Sequence, residues 1–246
     1  MLSMAICKLE NPTKPFFPYF GGKSRVAKKL ACSIPKHSTY VESFAGGASV
    51  YFAKNSAKKN VLNDLDSDTV KLLKAGKNRP SAITSCKIKD SKWAFQRARN
   101  KSNRNACDIL HIKKLSFGSN GSFAKKNKKF NNNLNNIQRD KLKKATILSQ
   151  DFRAVMKRYD KKETLHFLDP PYVEQGYRYK HHRVTPEEVC GTAKKMKGKV
   201  MITYDKNSKV RNACKGLKFK SISRVWFQLH IYTAVSIKES SKICSF

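Results

Sequence analysis

Tyr40-Val41-Glu42-Ser43-Phe44-Ala45-Gly46-Gly47-Ala48 begins as an apolar run, passes an acidic residue and a glycine-rich turn, and leads into residues 48–55, whose apolar positions have helical spacing. A strand, a glycine turn and a helix in direct succession form the opening unit of an α/β sheet, with the turn at the strand's C-terminal end. Glycines at that point let the backbone turn tightly and approach a ligand closely. Taken alone, such a turn serves a dinucleotide, a phosphate or plain packing equally well.

The same rhythm continues on both sides. Short apolar runs at residues 60–63, 146–149, 165–168, 200–204, 218–222 and 242–246 read as buried strands, because parallel strands covered on both faces are continuously apolar. Segments 23–32, 67–75, 152–159, 186–196 and 208–214 have the spacing of amphipathic helices. Strand and helix alternate, so the expected core is α/β with ligand loops at the strand C-termini.

Residues 76–144 break the rhythm. They hold Trp93, Phe95, a basic helical stretch through Arg104, the turn-rich run Ser116-Phe117-Gly118-Ser119-Asn120-Gly121-Ser122-Phe123, a lysine tract and Asn131-Asn132-Asn133. Gly118 and Asn120-Gly121 supply the positive φ of a tight hairpin. The aromatic residues favour a folded, partly helical insert over a polar linker. The expected organisation is therefore a catalytic domain of residues 1–75 and 145–246 and a recognition insert of residues 76–144.

Charge points to the partner. The chain of 246 residues carries 52 Lys plus Arg against 17 Asp plus Glu, a formal net charge of +35. Residues 71–146 hold 21 Lys and Arg against 3 Asp, over half of that excess. Such a field attracts a polyanion, and nucleic acid is the natural one. The seven cysteines are odd in number, widely spaced and without a C-x-x-C pair, so they read as free thiols of a reducing compartment rather than a disulfide framework or zinc site. With no signal-like start and no apolar run of membrane-spanning length, the expectation is a soluble, intracellular protein that needs no metal.

Two further features carry chemistry. About 20 residues beyond the glycine turn, at the end of the next strand, Asp64 stands where a carboxylate can accept both hydrogens of a ribose diol. Asp169-Pro170-Pro171-Tyr172 follows the strand at 165–168. Its prolines stiffen the loop, remove two N–H donors and leave the carbonyls of Asp169 and Pro170 directed outward. The exocyclic amine of a nucleobase is a poor nucleophile because its lone pair is delocalised. A carboxylate and a carbonyl that accept its two hydrogens would localise that pair toward a methyl donor, while Tyr172 stacks on the ring.

Taken with Pro18-Tyr19-Phe20-Gly21-Gly22-Lys23, Asn63-Asp64-Leu65-Asp66-Ser67-Asp68 and Ser149-Gln150-Asp151-Phe152, in this order along the chain, these motifs resemble the D12 class of adenine-N6 DNA methyltransferases typified by the Dam enzymes. The resemblance implies a Rossmann-like methyltransferase fold, a seven-stranded sheet with one reversed strand, and an inserted, mainly helical DNA-recognition domain carrying a basic hairpin. It implies S-adenosylmethionine as cofactor and duplex DNA as partner, with the adenine flipped out of the stack and a monomer adequate for the task. The cofactor residues it implies are Tyr19, Lys23, Glu42, Phe44, Gly46, Asp64, Asp151, Phe152 and Asp169, and the catalytic ones Asp169, Pro170 and Tyr172. The hairpin residues Asn120, Gly121, Lys125, Lys126, Lys128 and Lys129 would meet DNA. Tyr19 replaces the tryptophan common in that motif, Ala48 stands where many relatives have glycine, and the Arg and Asn residues of Dam hairpins are not evident. Cytosine N4, adenine in RNA, or a catalytically silent DNA-binding homologue remain as rival readings, and a restriction-modification context is the expected one.

Overall fold

The computed structural model describes residues 7–117, 121–130, 132–174, 184–224 and 227–234. Seven strands form one sheet: β1 (Thr39–Glu42), β2 (Lys59–Asn63), β3 (Ala145–Leu148), β4 (Thr164–Leu168), β5 (Lys199–Asp205), β6 (Lys218–Arg224) and β7 (Phe227–Ala234). Their order is β3-β2-β1-β4-β5-β7-β6. β1 pairs in parallel with both β2 and β4, whereas β7 runs antiparallel to β5 and β6. Among the described strands it is the one that runs in reverse. All five residues of β4 are buried, His166 among them, which accounts for its mainly apolar reading.

β7 is a strand that the sequence reading missed. Leu229, His230, Ile231 and Tyr232 are all buried, but the polar side chains interrupt the sequence, so it lacks the continuous apolar run of the parallel strands. The strand expected at residues 242–246 lies outside the described residues. Helix α1 (Ala27–Cys32) is shorter than the expected 23–32, because residues ahead of it form turns that bring the Lys23 side chain back onto Gly21 O at 2.9 Å.

α2 (Ser49–Ala53) follows the glycine turn. Between β2 and β3 lie α3 (Ser67–Asn78), α4 (Ser81–Thr84), α5 (Lys92–Asn100), α6 (Ala106–Leu115) and α7 (Asn136–Lys143). Asn105 and Asn135 cap α6 and α7 through reciprocal capping boxes with Asp108 and Gln138. Residues of the asparagine tract are structural: Asn132 is buried and donates to the Cys86 carbonyl. Ile83, Ile109, Leu110 and Leu142 share one apolar cluster with Tyr40, Leu62 and Phe167 of the sheet. The helices are thus welded to the sheet's core. α8 (Phe152–Tyr159) follows β3, and α9 (Pro186–Lys194) and α10 (Ser208–Ala213) flank β5 in sequence.

The cysteines depart from expectation. The structure pairs Cys7 with Cys32, Cys86 with Cys107 and Cys190 with Cys214; Cys244 lies outside the described residues. Spacing could not show this, because each pair is brought together by packing, as when α9 meets α10. A disulfide closing a loop of this length stabilises by about 3 kcal/mol, chiefly by restricting the unfolded chain. Denatured but unreduced protein is expected to titrate no more than one thiol with Ellman's reagent, and reduced protein all seven, with a lower melting temperature. Seven reactive thiols before reduction would refute the pairing.

Candidate active site and cofactor cavities

The order of strands reverses between β1 and β4, so the loops after these two strands splay apart and leave a crevice at their C-terminal ends. The glycine turn forms one wall. Gly46 has φ of 48°, and a Cβ there would stand 2.6 Å from the Tyr19 ring. Only glycine allows Tyr19 to lie this close. Ala48, where the sequence departs from glycine, takes φ of 55° as the residue before α2, a left-handed conformation that a side chain adopts at a cost of about 1 kcal/mol.

At the end of β2 the Asp64 carboxylate accepts from the backbone amides of Gly46 at 2.7 Å and Asp66 at 2.8 Å. Burial pushes its pKa up to about 6, against the pull of these amides and of Lys113. Glu42, at the end of β1, is 2% exposed and accepts from Tyr40 OH at 2.9 Å. Burial raises it to about 8, with the Asp169 charge adding to the effect.

At the end of β4 each oxygen of Asp169 has its own donor. Oδ1 accepts from Thr203 Oγ1 at 2.7 Å; Oδ2 pairs with Lys23 Nζ at 2.7 Å, the two side chains being 16% and 9% exposed. Lys23 Nζ also lies 4.7 Å over the Tyr172 ring. A cation is thus held between a carboxylate and the face of an aromatic ring. Thr203 is fully buried on β5 and was not among the residues expected from sequence.

Two adjoining cavities open here, with about 350 and 570 Å³ of free space. The smaller is lined by Tyr19, Lys23, Glu42, Gly46 and Asp169. Tyr19, Phe44 and Asp169 also line the larger, together with Asp64, Gln150 and Phe152. Phe44 and Phe152 pack with ring centroids 5.1 Å apart. Eight of the nine expected cofactor residues therefore converge on one crevice. The ninth, Asp151, lines neither cavity: its carboxylate caps α8 through Arg153 N at 2.8 Å and binds the Arg153 guanidinium.

The hairpin is described in part. Ser116 and Phe123 form an antiparallel bridge closed by Phe117 N to Ser122 O at 2.7 Å and Ala124 N to Leu115 O at 2.7 Å. Asn120 lies outside the described residues, while Gly121 has φ of 91°. Lys125, Lys128 and Lys129 are exposed, and the Lys126 amide donates to Asp90. Trp93 and Phe117 are exposed nearby in sequence, with Arg97 stacked 5.3 Å from the Trp93 ring. Among the described residues no group of acidic, His and Cys side chains is placed to hold a metal, and no helix is long and apolar enough to cross a membrane.

The family model of D12 class N6 adenine-specific DNA methyltransferase matches residues 19–111 and 113–229. The chain is 27% identical over 179 residues to the Type II methyltransferase M.CviBI of Paramecium bursaria Chlorella virus NC1A, covering 65% of this chain and 69% of that protein. It is 24% identical over 201 residues to the Type II methyltransferase M.MjaIII of Methanocaldococcus jannaschii, with the same coverage of 65% and 69%. A putative methyltransferase, yhhF, from Escherichia coli superposes with a TM-score of 0.42 at 9% identity, covering 87% of this chain and 86% of the other.

Proposed function

Because the chain belongs to the D12 class of N6 adenine-specific DNA methyltransferases, we propose that it methylates the N6 amine of a flipped adenine in duplex DNA from S-adenosylmethionine. The observation that carries this reading is the seat of Lys23, an ammonium donating to Asp169 Oδ2 above the Tyr172 ring. An adenine amine needs the same surroundings: an acceptor for its hydrogen and a flat face for its ring. In this reading Lys23 holds the place of the target base and yields it when the base enters.

The cavities fit the cofactor. The larger one offers Asp64 for the ribose diol and Phe44 and Phe152 for an adenine ring; Gln150 there has a buried side-chain oxygen without a protein partner among the described atoms. The smaller one places Glu42 and Asp169 beside the glycine turn, where an amino-acid tail finds acidic partners. When bound, S-adenosylmethionine supplies an electrophilic methyl group on a sulfonium. The chain's own residues do the rest. Asp169 Oδ2 and the Pro170 carbonyl accept the two amine hydrogens, and Tyr172 holds the ring in line. Thr203 fixes the Asp169 carboxylate through Oδ1, which leaves Oδ2 for the substrate. The proton leaves the amine after transfer. Residues 76–144 and their hairpin lie against the duplex, phosphates setting the register and the hairpin reading base edges. Asp151 keeps α8 in place as its cap, and its neighbours Gln150 and Phe152 take the contact with the cofactor's adenine.

Digestion of duplex DNA treated with the protein and labelled S-adenosylmethionine, followed by mass spectrometry of the nucleosides, is expected to show N6-methyladenine. Label found only in N4-methylcytosine would sink the acceptor.

The Asp64 carboxylate makes cofactor binding depend on pH. Diol hydroxyls donate to the ionised form, so affinity is full well above pH 6 and falls as pH drops through about 6, the raised pKa of the free site. For folding the sign is opposite: an elevated carboxylate pKa contributes stability below the ordinary carboxylate range that is lost as pH rises through 6. Calorimetric titration with S-adenosylhomocysteine should give about tenfold weaker binding at pH 5 than at pH 7. Equal affinities would remove Asp64 from the ribose site.

A further inference from the structure

Lys113 is a lysine of α6, 49 residues beyond Asp64 in the chain, yet it reaches the wall of the cofactor crevice. Its Nζ pairs with Asp66 Oδ2 at 3.1 Å, the two side chains being 16% and 10% exposed, and sits 4.6 Å over the Tyr19 ring. Both contacts are with residues that line the larger cavity. Tyr19 closes both cavities against the glycine turn, and Asp66 lines the larger cavity while its amide holds Asp64. We propose that Lys113 is a positioning residue of the cofactor site: it braces Tyr19 against Gly46 and neutralises Asp66, so that Asp64 stands ionised for the ribose diol.

Asp64 and Asp66 are two carboxylates at one strand end, and each disfavours ionisation of the other. Asp66 also accepts from Thr69 Oγ1 at 2.8 Å and the Asp68 amide at 3.1 Å as the cap of α3, so it cannot swing away. The charges acting on Asp64 are Asp66, which opposes its ionisation, and Lys113, which favours it. An exposed ion pair contributes little, but this one is mostly shielded from water and its cation also rests on an aromatic face. Because Lys113 stands on a helix between β2 and β3, the segment read as facing DNA, anything that shifts α6 on the duplex shifts the brace. Cofactor and DNA binding are then linked reciprocally.

This inference rests on the cofactor reading above, and its test separates the two. S-adenosylhomocysteine is titrated calorimetrically from pH 5 to pH 8 into the wild-type full chain, Lys113→Met, Lys113→Arg, and the double variant Asp66→Asn/Lys113→Met, with melting temperatures taken alongside. Lys113→Met keeps the apolar stem and is expected to bind about tenfold more weakly at pH 7, with the acid limb of its pH profile moved to higher pH. Lys113→Arg should stay within about threefold of wild type. In the double variant the carboxylate repulsion is gone while asparagine still caps α3, so much of the affinity should return. That recovery would not follow from a merely structural role, and it reads out the proposal even if Lys113→Met alone folds poorly. Wild-type affinity with a wild-type pH profile in Lys113→Met overturns the inference and leaves the cofactor reading standing. Absence of binding by the wild-type protein overturns both.

Discussion

Asp169→Ala is expected to lower methyl transfer to an adenine-containing duplex by about 10³-fold, the scale for removing one preorganised group from the centre of charge development. The loss should fall on kcat, because the carboxylate's hydrogen bond to the amine strengthens only as the amine gains positive charge. Stability should change as well. Lys23 is 9% exposed and would lose its carboxylate partner, keeping Gly21 O and the Tyr172 ring, and breaking a buried ion pair costs about 3–5 kcal/mol. Asp169→Asn separates these effects. Its carbonyl can still accept from Thr203 Oγ1, which donates to Asp169 at 2.7 Å, so the loop keeps its geometry while Oδ2 is replaced by an amide that donates where the reaction needs an acceptor. Tritiated-methyl incorporation is therefore expected to collapse in both variants. Incorporation unchanged in either would remove Asp169 from the chemistry.

The contrast between Asp169 and Thr203 shows what a sequence reveals of such a site. The aspartate sits in a local motif whose stiff prolines explain its purpose. The threonine is an ordinary residue of an apolar strand and acquires a role only because β4 and β5 are neighbours. The partnership of Lys23 with Asp169 spans 146 residues of chain, and no local pattern encodes it. The same holds for Lys113, hidden among the abundant lysines of its segment. Parallel strands were legible because burial on both faces keeps them mainly apolar, with exceptions such as His166 of β4 too few to hide the run. β7, lying between β5 and β6 and running against them, tolerates His230 and Tyr232 beside Leu229 and Ile231, and so escaped notice. Asp151 poses another difficulty: its carboxylate caps α8 and binds Arg153, and sequence order alone cannot say whether an acidic residue serves the ligand or its own helix.

The chain's positive field makes its hold on DNA depend steeply on salt. A protein that neutralises six to ten phosphates loses about 10³–10⁵ in duplex affinity between 50 and 200 mM salt, because each contact releases condensed counterions. With a net charge of +35 and an exposed, lysine-rich stretch at residues 125–129, this chain is expected to fall in that range by fluorescence anisotropy with a labelled duplex. Replacing Lys125, Lys126, Lys128 and Lys129 by alanine tests the placement of that stretch. Each lysine that lies on a phosphate contributes about 0.9 to the slope of log affinity against log salt, so the fourfold variant should flatten the slope by about 2.5–3.5, three of the four residues being exposed. The weakening should be nearly uniform across duplex sequences, since phosphates carry no base information. A slope unchanged in this variant would move the DNA to another face, whereas a loss confined to one duplex sequence would make these lysines readers of bases. Calorimetric binding of S-adenosylhomocysteine should stay the same in either case, because none of the four lines the crevice that Tyr19, Phe44 and Asp169 share.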